Sequence, residues 1–201
     1  MIGIVDYNMG NLASVKNAFK KVGVKAEVVR EPEKLKNYDK LFFPGVGAFG
    51  DAVAHLKETG LDEAMREFIK SGRYVLGVCL GMQLLFDKGY EFGEHEGLGV
   101  IPGEVVKFDK SKIGEHKIPH MGWNKMFFKG HSPLFEGLEN PYLYFVHSYH
   151  AVCDEKYVIG ETIYGYKFVS AVNKDNVFGF QPHPEKSHNA GLRVIENFAK
   201  L

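Results

Sequence analysis

The apolar positions along the chain fall into two regimes that meet near Gly89. In the first, short runs of consecutive apolar residues alternate with stretches where apolar residues recur every three or four positions. Ile2 to Val5 is the first run, and Asn8-Met-Gly-Asn11 behind it is a turn suited to cap a helix. Leu12, Val15, Ala18, Phe19 and Val22 then predict an amphipathic helix that ends at Gly23. Val24 to Val29, Lys40 to Phe43 and Tyr74 to Val78 read as strands. Phe49 to Lys57 and Leu61 to Ile69 read as helices, and Leu80 to Phe86 as the start of another. Apolar strands alternating with helices predict a parallel sheet covered on both faces.

Beyond Gly89 the segments Val105 to Phe108, Met126 to Phe128, Tyr142 to Val152, Tyr157 to Ile163 and Val177 to Phe180 are β-like, separated by Gly, Asp and Asn turns. Asn189 to Leu201 closes the chain as a helix with Leu192, Ile195 and Phe198 on one face. No linker, repeat or low-complexity segment divides the two halves. The expectation is one α/β domain over residues 1–201, its parallel sheet extended by antiparallel strands.

Length and composition narrow the function. At 201 residues with 45% hydrophobic content the chain can bury a full core. Its 25 basic and 25 acidic side chains cancel, so neither nucleic acid nor an anionic membrane is expected as its main partner. The longest apolar stretch, Tyr74 to Phe86, is interrupted by Gln83 and falls short of the ~18 residues of a membrane span. The opening Met1 to Asp6 lacks the basic start of a signal peptide. Two cysteines are too few for a disulfide framework, and a Cys79–Cys153 bridge is not expected in a chain read as cytoplasmic.

The candidate chemistry lies in glycine-rich loops. Gly77-Val78-Cys79-Leu80-Gly81 follows an apolar strand and opens a helix, the nucleophile-elbow pattern with Cys in place of Ser. A helix N-terminus behind such a residue favours thiolate and offers N–H groups to an oxyanion. The alternative is a buried structural cysteine. A cysteine nucleophile needs a base. Among nine histidines His183 stands out, fixed between Pro182 and Pro184 with Glu185 two residues on, although an exposed loop histidine fits the same pattern. Pro44-Gly-Val-Gly47 follows a parallel strand, as an oxyanion loop or as an ordinary turn. Glycine at 45 lets the peptide between Gly45 and Val46 rotate at low steric cost. His147 and His150, three apart on one β-like segment, are expected on opposite faces. With no clustered ligand spacing, no metal site is expected.

Three of these elements in order, Pro44 to Gly47, Gly77-Val-Cys-Leu-Gly-Met-Gln83 and Gln181-Pro-His-Pro-Glu185, resemble the class I glutamine amidotransferases. Asp6-Tyr-Asn-Met-Gly-Asn11, Ile118-Pro-His-Met-Gly-Trp-Asn124 and Phe145-Val-His-Ser-Tyr149 narrow the resemblance to the histidine-biosynthesis branch, the glutaminase subunits of imidazole glycerol phosphate synthase. It runs over nearly the whole chain. It implies a flavodoxin-like, mainly parallel mixed sheet with helices on both faces. It further implies a Cys-His-Glu triad of Cys79, His183 and Glu185, and an oxyanion hole from Leu80 and the Gly45-Val46-Gly47 loop. Gln83, Ser148, Tyr149 and Gly47 are implied to hold glutamine. Asn11, His120, Met121, Trp123, Asn124, Tyr144 and Lys186 are implied to meet a (βα)8-barrel cyclase subunit in a heterodimer. That subunit uses the released ammonia to make imidazole glycerol phosphate and AICAR phosphate, and no cofactor is implied here. Pro182 departs from the family, which usually carries an apolar or aromatic residue there. Other readings are an amidotransferase of another pathway, a catalytically silent module of the same fold, and a cysteine peptidase. Trp123, Tyr144 and Lys186 also fit plain core or surface roles.

Overall fold

A computed structural model of the chain describes residues 1–201. The parallel core is built from β2 (Ala26–Val29), β1 (Ile2–Val5), β3 (Lys40–Phe43), β4 (Val75–Val78) and β13 (Val177–Phe180), in that order and all parallel. β1, β4 and β13 are buried along their whole length, which is why they read as unbroken apolar runs. α1 (Leu12–Lys21) and α5 (His188–Lys200) cover one face through Val15, Phe19, Val194, Ile195 and Phe198. α2 (Phe49–Thr59) and α3 (Leu61–Lys70) cover the other through Leu56, Met65 and Phe68. Asn11 caps α1 by accepting the Ser14 N–H at 3.3 Å, and Lys20 and Lys21 sit at the negative end of its dipole.

The antiparallel extension is larger than the sequence pattern indicates. β12 (Tyr166–Lys174) pairs with β13 and leads on through β10 (Tyr149–Cys153), β7 (Ile101–Lys107), β5 (Phe86–Gly89) and β6 (His95–Glu96), antiparallel throughout except for the parallel pair of β7 and β5. A branch runs from β12 through β11 (Val158–Tyr164) and β8 (His120–Phe128) to β9 (Tyr142–His147).

Three expectations need correction. The helix begun at Leu80 ends at Gln83, as α4 (Leu80–Gln83), and Phe86 starts a strand. The Leu85 carbonyl accepts the Val100 and Ile101 N–H groups, a pairing a longer helix would forfeit, and an apolar run looks the same in both cases. The segment from Tyr142 to Val152 is two strands broken at Ser148, whose carbonyl accepts the Phe108 N–H at 3.1 Å. That break cancels the alternation, so His147 and His150 meet on the same Phe108 ring, at centroid distances of 5.1 and 4.9 Å. β12 is an additional strand outside the predicted elements, joined to β11 in a tight hairpin by Gly165 at φ 74°.

Candidate active site

In an open parallel sheet, ligands bind where the strand order reverses, beyond the carboxyl ends of the strands. The order β2-β1-β3 reverses at β1, and a cleft of about 550 Å³ opens beside that point, beyond the carboxyl ends of β3 and β4. Val46 and Gly47 line it from the loop after β3, and Cys79, Leu80 and Gln83 from the turn after β4. Ser148 and Tyr149 line it from the break between β9 and β10.

Cys79 sits at the turn from β4 into α4 with φ 53° and ψ −114°. A non-glycine residue there costs about 1–3 kcal/mol and persists only where its surroundings impose it. The Cys79 N–H donates to the Phe180 carbonyl at 2.9 Å, and the Cys79 carbonyl accepts from the Gln83 N–H at 3.1 Å. The flanking glycines are a steric requirement. A Cβ on Gly77 would stand 2.7 Å from the Gly81 carbonyl oxygen, and one on Gly81 would overlap the Phe43 carbonyl oxygen of β3.

His183 is buried, and its Nδ1 and the Glu185 Oε1 lie 2.8 Å apart. Its backbone is tied to β9: the His183 N–H donates to the Tyr144 carbonyl at 2.9 Å, and Ser187 Oγ bridges the His183 carbonyl and the Tyr144 N–H. Pro182 leaves this arrangement intact. His183 Nε2 is buried without a hydrogen-bond partner of good geometry, and the neighbouring Cys79 sulfur acts on the imidazole. Burial opposes charging of the ring. The Cys79 sulfur and then Glu185 outweigh it and push His183 up to about 10.

In this conformation the N–H groups expected as oxyanion donors are engaged elsewhere. The Leu80 N–H donates to the Gly45 carbonyl at 3.3 Å, and the Val46 N–H to the Met9 carbonyl at 2.7 Å. The Gly45–Val46 peptide presents its carbonyl, not its N–H, to the elbow. Gln83 has its amide nitrogen bonded to the Tyr149 carbonyl and to Gln181 Oε1, both at 3.1 Å.

Two lining residues escaped the sequence reading. Glu91 brings a carboxylate into the cleft, one oxygen accepting the Phe49 N–H at 3.2 Å, and Phe92 stands almost fully exposed at φ 55°. Neither belongs to a motif, and an acidic residue in a Gly-rich loop gives no signal of its own.

Of the residues assigned to a partner face, Trp123, Tyr144 and Lys186 form one surface cluster. The Trp123 ring stacks on His188 with centroids 4.9 Å apart and meets Tyr144 edge-on at 6.0 Å, and Lys186 Nζ lies 5.8 Å above Tyr144. Met121 is exposed on the same strand, Asn124 is half-buried, and Asn11 is exposed at the start of α1. His120 does not reach the surface. It is buried, stacked on Phe145 at 4.8 Å and bonded to His147, because alternation along β8 turns it away from Met121 and Trp123.

The fold thus carries a cysteine at a strained elbow with a His-Glu pair behind it, and comparison with known proteins says which class has this make-up. The family model described as glutamine amidotransferase class-I matches residues 3–201, so the chain belongs to that family. Within it, the chain is 64% identical over its whole length, and 98% of the relative's, to imidazole glycerol phosphate synthase subunit HisH of Sulfurimonas denitrificans. It is 60% identical, with both chains fully covered, to the HisH subunit of Wolinella succinogenes. Among solved structures, PurLQS from Thermotoga maritima superposes with a TM-score of 0.78 at 19% identity, covering 99% of this chain and 97% of that one. A crystal structure of a glutamine amidotransferase gives 0.77 at 20% identity, with 100% and 99% covered. At those identities the superpositions speak to the fold alone.

Proposed function

We propose that this chain hydrolyses glutamine to glutamate and ammonia through Cys79, His183 and Glu185. We further propose that it passes the ammonia to the cyclase subunit of imidazole glycerol phosphate synthase, a (βα)8 barrel, for histidine biosynthesis. The observation that carries the reading is Cys79 held at φ 53° on the wall of an open cleft, with the unpartnered His183 Nε2 behind it and Glu185 fixing the other ring nitrogen. The Cys79 thiolate attacks the side-chain amide carbon and a C–S bond forms. His183 gives its Nε2 proton to the leaving nitrogen, and the C–N bond breaks to release ammonia. Water then loses a proton to His183, attacks the thioester and frees the thiolate and glutamate. Glu185 holds the ring and stabilises imidazolium.

The Glu91 carboxylate is the one acidic side chain lining the cleft and complements the α-ammonium of glutamine. Ser148, Tyr149 and Gly47 lie within reach of the rest of the substrate. The engaged N–H groups of Leu80 and Val46 describe a resting state, and rotation of the Gly45–Val46 peptide frees both together. Trp123, Tyr144, Met121 and Lys186 form the partner face, tied to the base through the Tyr144–His183 backbone bond. That the relatives are named as subunits of a synthase supports an obligatory partner. Cys79→Ala tests the assignment: hydrolysis is abolished while the circular dichroism spectrum and partner binding are retained. Loss of folding would instead mark Cys79 as structural.

A further inference from the structure

The polar groups behind Cys79 form a network whose direction is set by one backbone carbonyl. The Tyr149 carbonyl can only accept, and it receives N–H groups from His147 Nδ1 at 2.8 Å and Gln83 Nε2 at 3.1 Å. Gln83 must therefore present its amide nitrogen there. The second proton on that nitrogen meets Gln181 Oε1 at 3.1 Å. Gln181 then has its oxygen committed and turns its own amide nitrogen to the Cys79 sulfur, 3.7 Å away. Flipping either amide would set N–H against N–H or oxygen against oxygen. Gln181 is completely buried and Gln83 nearly so, which makes such a fault costly. The same polarity runs through His147, whose Nε2 accepts from His120 Nδ1 at 2.9 Å, and on to Asn124, which donates to His120 Nε2 at 3.2 Å. In the thiol form the S–H faces the Val146 carbonyl at 4.0 Å. The Gln181 N–H is the side-chain amide donor that faces the sulfur.

We propose that Gln181 is a further catalytic residue, its side-chain N–H held against Cys79 Sγ by Gln83 and the Tyr149 carbonyl so that the sulfur stands as thiolate. This rests on the reading of Cys79 as nucleophile. Hydrogen bonds to a charged acceptor are the strong ones, and the fixed amide supplies one at no reorganisation cost. The other titratable groups around the sulfur are His183 and Glu185 from the turn after β13, Tyr7 from the loop after β1, His147 on β9 and Glu91 across the cleft.

The test follows alkylation of Cys79 by iodoacetamide as a function of pH, in a Cys153→Ser background where Cys79 is the only cysteine. Gln181→Met keeps the length and removes the N–H. It should lower alkylation at neutral pH about tenfold, recover the parent's rate in strong base, and reduce kcat for glutamine far more than it changes KM. Gln181→Glu sets a carboxylate against the sulfur and should alkylate more slowly still. A Gln181→Met protein with the parent's pH profile overturns the proposal, since a mere packing role would alter stability and leave that profile in place. Should neither variant fold, the Gln181 side-chain amide resonances in the 15N-labelled parent must shift with the same pH midpoint as alkylation, and resonances blind to it overturn the proposal equally. Alkylation needs no glutamine, so a reactive sulfur in a chain without glutaminase activity would count against the proposed function and not against this role.

Discussion

Val46→Pro isolates the rotation of the oxyanion peptide. In the resting conformation the Val46 N–H donates to the Met9 carbonyl at 2.7 Å and the Gly45 carbonyl occupies the Leu80 N–H at 3.3 Å, so neither donor serves a tetrahedral intermediate. One missing oxyanion donor costs about 10²–10³ in kcat, and the isolated chain should be slower than the liganded complex by at least that factor. Proline at 46 removes the N–H in every conformation. The Val46 side chain is 42% exposed, so little packing is lost, and the forfeited bond to Met9 is worth about 1 kcal/mol. Gly45 accepts the restriction that a following proline imposes. The isolated variant should therefore keep the parent's low rate within a few-fold, while the rate with partner falls about 10²–10³ and the activation ratio collapses. Gly45→Ala is a poorer probe, because its Cβ would overlap the Tyr7 hydroxyl that donates to the Pro44 carbonyl at 2.8 Å. The assay is glutamate release at saturating glutamine, with and without liganded cyclase subunit. A Val46→Pro chain stimulated as strongly as the parent refutes the rotation, as does a free parent chain already as fast as the complex.

Loss of the base should exceed loss of its orienter: His183→Ala removes the group that moves the proton, whereas Glu185→Gln keeps an acceptor near Nδ1, and equal kcat deficits would sink the triad order. Acid should destabilise the fold through its neutral histidines. Burial pushes His120 down to about 4 and lowers His147 and His150 too, so their contribution is complete above the unfolded value near 6.5 and is lost as pH falls through their folded values. His120 alone accounts for about 2 kcal/mol by pH 5, at roughly 1.4 kcal/mol per unit. His183 works the other way, its contribution complete below about 6.5 and lost as pH climbs towards 10. Urea unfolding at pH 7.5 and 5 is therefore best compared in Cys79→Ala, which removes the sulfur that raises His183, and a flat result refutes neutral buried histidines. Trp123→Ala should weaken cyclase binding at least tenfold in calorimetry without changing the basal glutaminase rate, and an unchanged Kd would remove Trp123 from the interface.

The parts legible in sequence are those whose geometry is local. An apolar strand, a turn residue between glycines and a helix start are contiguous, and Gly77 to Gly81 folds as that pattern requires. The His-Pro-Glu segment is contiguous too, and its 2.8 Å contact spans two residues. What the pattern hid depends on partners distant in the chain. Leu84 to Gly89 turns from helix to strand because residues near Ile101 are there to pair with it. Ser148 breaks a strand because β9 and β10 have different neighbours.

The burial of His120 was open to sequence reasoning all the same. Once Met121 and Trp123 are assigned to a surface, the two-residue period of a strand turns His120 and Asn124 to the opposite face. A stretch matched to a motif invites all its residues to be treated alike, whereas a strand divides them. On β8 one face carries the aromatic cluster around Trp123, and the other starts the donor chain that runs from Asn124 through His120 and His147 to the Tyr149 carbonyl. That chain meets Gln83 and Gln181 across 66 and 98 residues of sequence. No spacing rule reaches so far, and the direction of each amide in it follows only from an acceptor that cannot donate.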